Sequence, residues 1–354
     1  MSLPHYQRRA ITGAAFVGAV WAAIVLIVIA VFDVKSAATG WLIGFAFWSQ
    51  ILIGSLTLVM IHRLTGGRWG EVAAPAIEPA AAAVPLLIVL VIPALIAIPV
   101  LYPWSHHATA IKPDVLSYYL NTPVFVLRTA VALLGWSALA LLLPRTIGRR
   151  GQLLAALGLV FHAIVISSVS IDWYLSLAAP FNSSSFGASV AISSLVAALA
   201  WTTVWTPVFD GDPAVGDIGA LLLATILGIT YIDFMAVLVI WYGDLPREEI
   251  WFVIRDRFPG AALAFAAFIL VSLIPVLALL LSRVRNAPKL LRAVGICVLV
   301  GLACYDAYLI APPSGVAALI SALLAIVGIG LSLIGTFMSG VTALITSPEV
   351  ADAS

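Results

Sequence analysis

The chain has 354 residues, of which 63% are hydrophobic and only 9% are charged, and its net charge is +1. Together with a mean hydropathy of +1.15, these values exclude a water-soluble globular domain, in which about a quarter of the residues are charged. The composition therefore predicts an all-α polytopic membrane protein surrounded by a lipid bilayer. No nucleic-acid partner is predicted.

Ten apolar runs fill most of the chain. A hydrocarbon core of about 30 Å requires about 20 apolar residues per helix, so each run is long enough to cross a bilayer once. The runs cover residues 11–32, 41–62, 79–101, 122–143, 152–176, 184–206, 216–241, 258–281, 290–311 and 315–345. Residues 1–354 are thus predicted to form a single integral membrane domain.

Two loops resemble each other and indicate an internal repeat. The sequence LLLPR at 141–145, after the fourth run, is similar to LLLSR at 279–283, after the eighth. Helices that are four apart share an orientation, which favours two parallel four-helix bundles. The bundles would span 41–176 and 184–311, with 11–32 and 315–345 as flanking helices. Chance similarity between apolar segments is the alternative explanation.

Lysine and arginine predict the orientation, because loops rich in them stay on the cytoplasmic side. With the N-terminus in the cytoplasm, eleven of the seventeen basic residues fall inside and five outside, and Arg128 falls within a helix. Both termini are therefore predicted to be cytoplasmic. The five outer residues are Lys35, Lys112, Arg247, Arg255 and Arg257.

Five ionisable residues within the apolar runs are the candidates for function: Arg128, His162, Asp172, Asp233 and Asp306. An ionisable group in a membrane costs at least a few kcal/mol, so it is expected to pair, to face the interior or to line a path. At a rise of about 1.5 Å per residue, Asp233 is expected near the midplane and His162 about 15 Å further inward than Asp172.

We interpret His162, Asp172 and Asp233 as proton carriers, with Arg128 and Asp306 as their electrostatic partners. Serine hydroxyls between His162 and Asp172 would complete a relay. The structural alternative is an Arg128–Asp172 ion pair that only fixes helix packing. For Asp306, which is close to the predicted surface, a snorkelling or capping role is favoured.

Aromatic residues crowd the predicted outer interface. They are typical of an interfacial aromatic belt, although a quinone ring also favours an aromatic slot; the candidates for such a slot are Trp104, Tyr119, Trp173 and Trp241. Cys297 and Cys304 provide neither an iron–sulfur motif nor a covalent haem attachment, and His162 is the one deep histidine, whereas a b-type haem normally needs two. No metal site is predicted in this chain.

Five segments carry a family resemblance. In chain order they are 62–70 (HRLTGGRWG), 101–104 (LYPW), 119–128 (YLNTPVFVLR), 170–177 (SIDWYLSL) and 240–249 (IWYGDLPREE). They resemble signature segments of the smaller polysulfide-reductase-like (NrfD-like) membrane subunit of alternative complex III, the ActF family. The chain departs from that pattern at 178–182, where it reads AAPFN, and at Asp233, where the family would have Ser-Gln.

The resemblance implies a subunit of a bacterial quinol:cytochrome c oxidoreductase in the cytoplasmic membrane, with a proton-conducting or structural role and no catalysis on its own. It implies haem and iron–sulfur clusters on partner subunits, namely a multihaem cytochrome c, an iron–sulfur protein and a larger sister membrane subunit. Two alternatives remain: a quinone-binding membrane anchor that passes electrons to an extrinsic partner, and a proton-coupled secondary transporter.

Overall fold

The computed structural model describes residues 5–106, 111–178, 181, 183–205 and 213–339. About 90% of the structure is helical, no strand occurs among the described residues, and ten of the described helices are long and apolar enough to cross a membrane. The all-α membrane class predicted from composition is therefore confirmed. We name the ten helices α1 (His5–Phe32), α2 (Val34–Thr65), α3 (Arg68–Ile96), α4 (Thr122–Leu142), α5 (Gly148–Trp173), α6 (Phe186–Trp205), α7 (Pro213–Tyr242), α8 (Gly260–Leu280), α9 (Pro288–Ile310) and α10 (Gly315–Ser339).

Helix α2 is the centre of the fold. In its most apolar stretch 94% of the residues are buried, compared with 17% in α1 and 11% in α7. It contacts α1, α3, α5, α6, α9 and α10. Most of the surface of α2 therefore faces other helices, whereas most of the surface of α1 and α7 faces away from the rest of the chain.

Helices α1 and α10 pack against each other, and both pack against α2. A Cβ atom added at Gly40 or Gly44 of α2 would lie 2.3 Å from Ser321 or 2.7 Å from Ala325 of α10. Without a hydrophobic force between helices in lipid, such close backbone contact is what holds them together. The end of the predicted tenth run, 340–345, lies outside the described residues.

The two predicted bundles meet where α2 crosses α6. A Cβ atom added at Gly54 would lie only 1.9 Å from the Ser194 carbonyl oxygen of α6, so only glycine fits at this crossing. Helix α9 packs on both α6 and α2. The division into bundles at 41–176 and 184–311 remains a prediction, since helices of both segments share one interior.

Helix α3 begins at Arg68, well before the predicted start at residue 79. Proline lacks the N–H that a helix interior needs and clashes with the preceding turn. Accordingly, Pro85, Pro93 and Pro99 each start a new short helical segment, and the chain reaches Leu101 as a series of turns. The second half of this run is thus irregular where the sequence predicted one continuous helix.

The described residues of segments 102–106, 111–121, 174–178, 183–185 and 243–259, together with Phe181, lie on one side of the protein. We call it the outer side in keeping with the predicted orientation. One further helix, Pro246–Arg255, lies there between α7 and α8; we call it the outer helix. Its Trp251 and Arg255 side chains are buried, whereas Ile250, Val253 and Ile254 are exposed. The outer helix therefore covers the ends of the membrane helices with one face.

Candidate functional site

Arg128 and Asp172 form a two-bond ion pair between α4 and α5. The Nε and Nη2 atoms of Arg128 each donate to one carboxylate oxygen at 2.7 Å, and Nη2 also donates to the Tyr119 carbonyl oxygen at 2.9 Å. The Tyr119 ring lies 3.8 Å from the guanidinium carbon. Asp172 is fully buried, so the guanidinium compensates a charge that water cannot reach.

Aromatic side chains surround this pair. The Trp173 indole donates to the Thr129 hydroxyl at 3.2 Å, and the Tyr102 hydroxyl donates to the Trp173 carbonyl oxygen at 3.3 Å. Burial, with a smaller contribution from the negative Asp172, raises the pKa of Tyr102 well above its ordinary value. Tyr102 therefore stays protonated at neutral pH.

Asp306 lies in the interior of the protein. Its side chain is 0% exposed, and its Oδ1 atom accepts a hydrogen bond of 2.6 Å from the Gln50 amide of α2. The Tyr174 hydroxyl lies 3.4 Å from the same amide. A snorkelling role for Asp306 is therefore wrong, because snorkelling requires a route to solvent. The hydrogen bond that its carboxyl group accepts comes from a side chain and not from the backbone of a helix end. Within the described residues, no basic side chain lies at ion-pairing distance from Asp306, and its Oδ2 atom has no hydrogen-bond partner.

Asp233 of α7 binds hydroxyl groups. Ser189, in the first turn of α6, donates to its Oδ1 atom at 2.7 Å, and the Tyr305 hydroxyl of α9 lies 3.3 Å from the Ser189 hydroxyl. Asp233 was expected near the midplane, but it lies level with the outer end of α6. The difference arises because α7 continues outward to Tyr242.

Helix α9 connects the hydrogen bonds around Asp306 with those around Asp233. Tyr305 and Asp306 are consecutive, so their side chains leave the helix about 100° apart. Tyr305 points towards Ser189 and Asp233, whereas Asp306 points towards Gln50. A layer of hydrogen-bonding side chains thus crosses the interior laterally, from α7 to α2, on the outer side of the protein. We call it the outer polar layer, formed by Asp233, Ser189, Tyr305, Asp306, Gln50 and Tyr174.

His162 is separate from that layer. It is buried beside Trp136, with ring centroids 5.9 Å apart, and its Nδ1 atom has no hydrogen-bond partner in the described structure. Ser167 and Ser170 donate to carbonyl oxygens of their own helix instead. No hydrogen bond among the described residues therefore joins His162 to Asp172.

A cavity of about 400 Å³ lies beside Asp233. Helices α6, α7, α8 and α9 and the outer helix provide its walls, most of which are aromatic or aliphatic. None of the four residues proposed for a quinone slot lines it. Trp104 is buried against Tyr102 and Phe125, and Trp173 is buried next to Asp172. Tyr119 stacks on Arg128, and Trp241 is 79% exposed. The cavity instead combines residues from five separate segments of the chain.

Four residues of the outer polar layer were not predicted as site residues: Gln50, Tyr174, Ser189 and Tyr305. Gln50 carried a usable signal, because an amide in the middle of an apolar run needs a partner in a membrane. Ser189 carried none, since serines are frequent in these helices. In the ranges that the structure describes, no cluster of three His, Cys, Asp or Glu residues occurs.

No family model matches this chain, and no curated protein matches it in sequence.

Proposed function

We propose that this chain is an integral membrane subunit of a bacterial respiratory complex that oxidises a quinol and reduces a cytochrome c-type acceptor. Five ordered segments that resemble one family of such subunits support the assignment. The electron carriers would lie on partner subunits, namely a sister membrane subunit, a multihaem cytochrome c and an iron–sulfur protein. The chain would sit in the cytoplasmic membrane with both termini in the cytoplasm and would not be catalytic alone.

Its proposed contribution is a short proton relay on the outer side. The observation that carries this role is Asp306, a fully buried carboxyl group that accepts from an uncharged amide and has no basic partner among the described residues. Ion-paired carboxylates hold their charge, whereas a carboxyl group without a cation can exchange a proton at lower cost. Asp306 therefore suits proton transfer better than Asp172 does.

The outer polar layer provides further groups along which such a proton would move. Tyr305 precedes Asp306 and, through Ser189, reaches Asp233 beside the cavity. Protons released when a partner subunit oxidises quinol would pass along this layer on the outer side. Because no hydrogen bond among the described residues links this layer to His162, we propose an outer relay and not a path through the whole membrane.

Proton release per quinol oxidised tests the relay. The purified complex is reconstituted in proteoliposomes, and the unmodified protein is compared with Asp306→Asn and Asp233→Asn. Asp217→Asn, at the exposed inner end of α7, is the matched control. We expect fewer protons per electron for the first two variants with electron transfer preserved, and an unchanged ratio for the control. An unchanged ratio in every variant would reduce the chain to a scaffold.

Purification tests the assignment itself. An affinity-tagged chain isolated in mild detergent is expected to bring down subunits with haem absorbance. If no redox partner copurifies, the respiratory assignment is wrong. If the chain alone retains bound quinone, the quinone-binding anchor becomes the better description.

A further inference from the structure

The cavity beside Asp233 has an open side towards the bilayer. The first part of α8, Gly260–Ala267, packs on α9, whereas α7 contacts α8 mainly through the inner part of that helix. On the outer side the two helices therefore diverge. The side chains at this gap, Phe234 of α7 and Phe268 of α8, are 62% and 53% exposed. A membrane-soluble molecule can thus enter from lipid without crossing the protein interior.

An irregular stretch of α8 forms the inner end of the cavity. Residues Phe268–Leu273 form a π-helix just before Pro275, which cannot donate a helical hydrogen bond. Such π-helical turns occur often at functional sites. Ser272, in this stretch, accepts a hydrogen bond of 2.8 Å from the Thr230 hydroxyl of α7. The two hydroxyl groups lie at the inner end of the cavity, and the Thr230 hydroxyl also lies 2.7 Å from the Ile226 carbonyl oxygen of its own helix.

The outer helix forms the roof. The Trp251 ring stacks on Phe181, with centroids 4.8 Å and planes 21° apart, and the Arg255 guanidinium lies 3.8 Å from the Trp251 ring centroid. Arg255 also donates to the Trp251 and Leu309 carbonyl oxygens. These contacts fix the roof, and they leave the positive charge of Arg255 behind Trp251, outside the residues that line the cavity.

Asp233 is the one carboxyl group among the cavity-lining residues. It accepts from Ser189, and no basic side chain of the described structure lies at ion-pairing distance from it. Aspartate within a membrane usually pairs with a positive charge or marks a binding path. Aromatic rings attract organic cations through the negative face of their π systems. Eight of the twenty other lining residues are aromatic: Phe181, Phe186, Phe234, Trp251, Phe252, Phe268, Tyr305 and Tyr308.

We propose that this cavity binds a lipophilic organic cation, with its charge at Asp233 and its apolar groups against the aromatic walls. A neutral ring of the same size would fill the volume but leave the carboxylate without a counter-charge. An anion would be repelled by the negative charge of Asp233. The proposal does not depend on the respiratory assignment, because it rests on the cavity, the carboxyl group and the aromatic walls alone.

Two probes of one shape and opposite charge test it. Binding of radiolabelled tetraphenylphosphonium and tetraphenylborate is measured by equilibrium dialysis on the protein in phosphatidylcholine nanodiscs, with empty nanodiscs as the blank. We expect saturable binding of the cation at one per chain and none of the anion. Benzyltrimethylammonium, a smaller cation, is expected to displace the bound probe.

Three variants locate the site. Asp233→Asn keeps an oxygen for Ser189 but removes the charge, and we expect it to weaken cation binding at least about ten-fold. Asp217→Asn, which removes a carboxylate from the exposed inner end of α7 and does not touch the cavity lining, is the matched control and should bind as the unmodified protein does. Ala264→Phe places a ring inside the cavity and should abolish binding while leaving Asp233 in place.

Three results would overturn the proposal: no saturable binding of either cation, equal binding of the borate anion, or full affinity in Asp233→Asn. Size-exclusion profiles and thermal transitions of each variant establish that it is folded before binding is measured. Loss of haem subunits during purification would overturn the respiratory assignment without affecting these outcomes, so the two failures are distinguishable.

Discussion

Gln50 and Asp306 lie 256 residues apart in the sequence, yet the Gln50 amide donates to the Asp306 carboxyl at 2.6 Å in the interior. One residue belongs to α2 and the other to α9. The hydrogen bond therefore joins the first and second predicted bundles at their common interface. It also makes each side chain dependent on the other, because a buried polar group left without its partner costs free energy.

Removing one member of this pair should cost more than removing both. We expect Asp306→Leu to lower the free energy of unfolding by about 1–3 kcal/mol, because the Gln50 amide loses its acceptor. The double variant Gln50→Leu with Asp306→Leu should recover part of that loss. The free energy of unfolding of each single variant and of the double variant is measured in mixtures of dodecyl maltoside and SDS. A double variant with the summed loss of the single variants would show that the two residues are energetically independent.

Removing one member of the Arg128–Asp172 ion pair should also cost more stability than removing both members. The loss in free energy of unfolding should be larger than for Gln50 and Asp306. Asp172→Leu leaves a guanidinium group unpaired between α4 and α5, and breaking a buried ion pair costs about 3–5 kcal/mol. Arg128→Leu should be comparably harmful. Replacing both residues with leucine is expected to restore most of the stability, as a double-mutant cycle on the same unfolding assay would reveal. Its failure to do so would assign the pair a role beyond helix packing.

Gly54 should tolerate no side chain. A Cβ atom there would lie 1.9 Å from the Ser194 carbonyl oxygen, whereas one at Gly13 has no atom within 4 Å. We expect Gly54→Ala to destabilise the protein by about 1–3 kcal/mol, as overpacking usually does, and Gly13→Ala to leave the thermal transition unchanged. Equal transitions for the two variants would contradict the close contact between α2 and α6.

The arginine of the outer helix should not be replaceable by lysine. Burial lowers the pKa of Arg255 to about 10, which leaves it charged at neutral pH. Its flat guanidinium both stacks on Trp251 and donates to two carbonyl oxygens, and an ammonium group cannot do both. Arg255→Lys is expected to speed proteolysis of residues 246–258, and Arg257→Lys, at an exposed position, to leave it unchanged. Equal digestion rates would show that the roof does not depend on Arg255.

His162 is expected to be dispensable for proton release. Its Nδ1 atom is buried without a partner, so replacing it with an apolar residue of similar size should be neutral or slightly stabilising. His162→Leu is therefore predicted to keep both the thermal transition and the number of protons released per quinol. A lower proton yield in this variant would support the longer relay through α5, from His162 to Asp172.

The sequence predicted the ten membrane helices because an apolar run of that length has few other stable states. It also indicated the Arg128–Asp172 contact, since two opposite charges in adjacent runs favour pairing. Gln50 was not predicted because the candidates were limited to ionisable residues, although an uncharged amide in an apolar run also needs a hydrogen-bond partner. The level of Asp233 was misjudged because depth was counted from the end of its own run, whereas α7 extends outward past its neighbours. The cavity could not be predicted at all, because its walls come from segments whose mutual contacts the sequence does not reveal.

The central position of α2 has a consequence for how the protein is made. A ribosome delivers α2 to the membrane before α6, α9 and α10, the helices that later surround it. Until then, Gln50 lacks the Asp306 carboxyl group, and Gly40, Gly44 and Gly54 lack the helices that pack on them. Assembly around α2 must therefore wait for most of the chain, and α10, which packs along Gly40 and Gly44, closes the structure last.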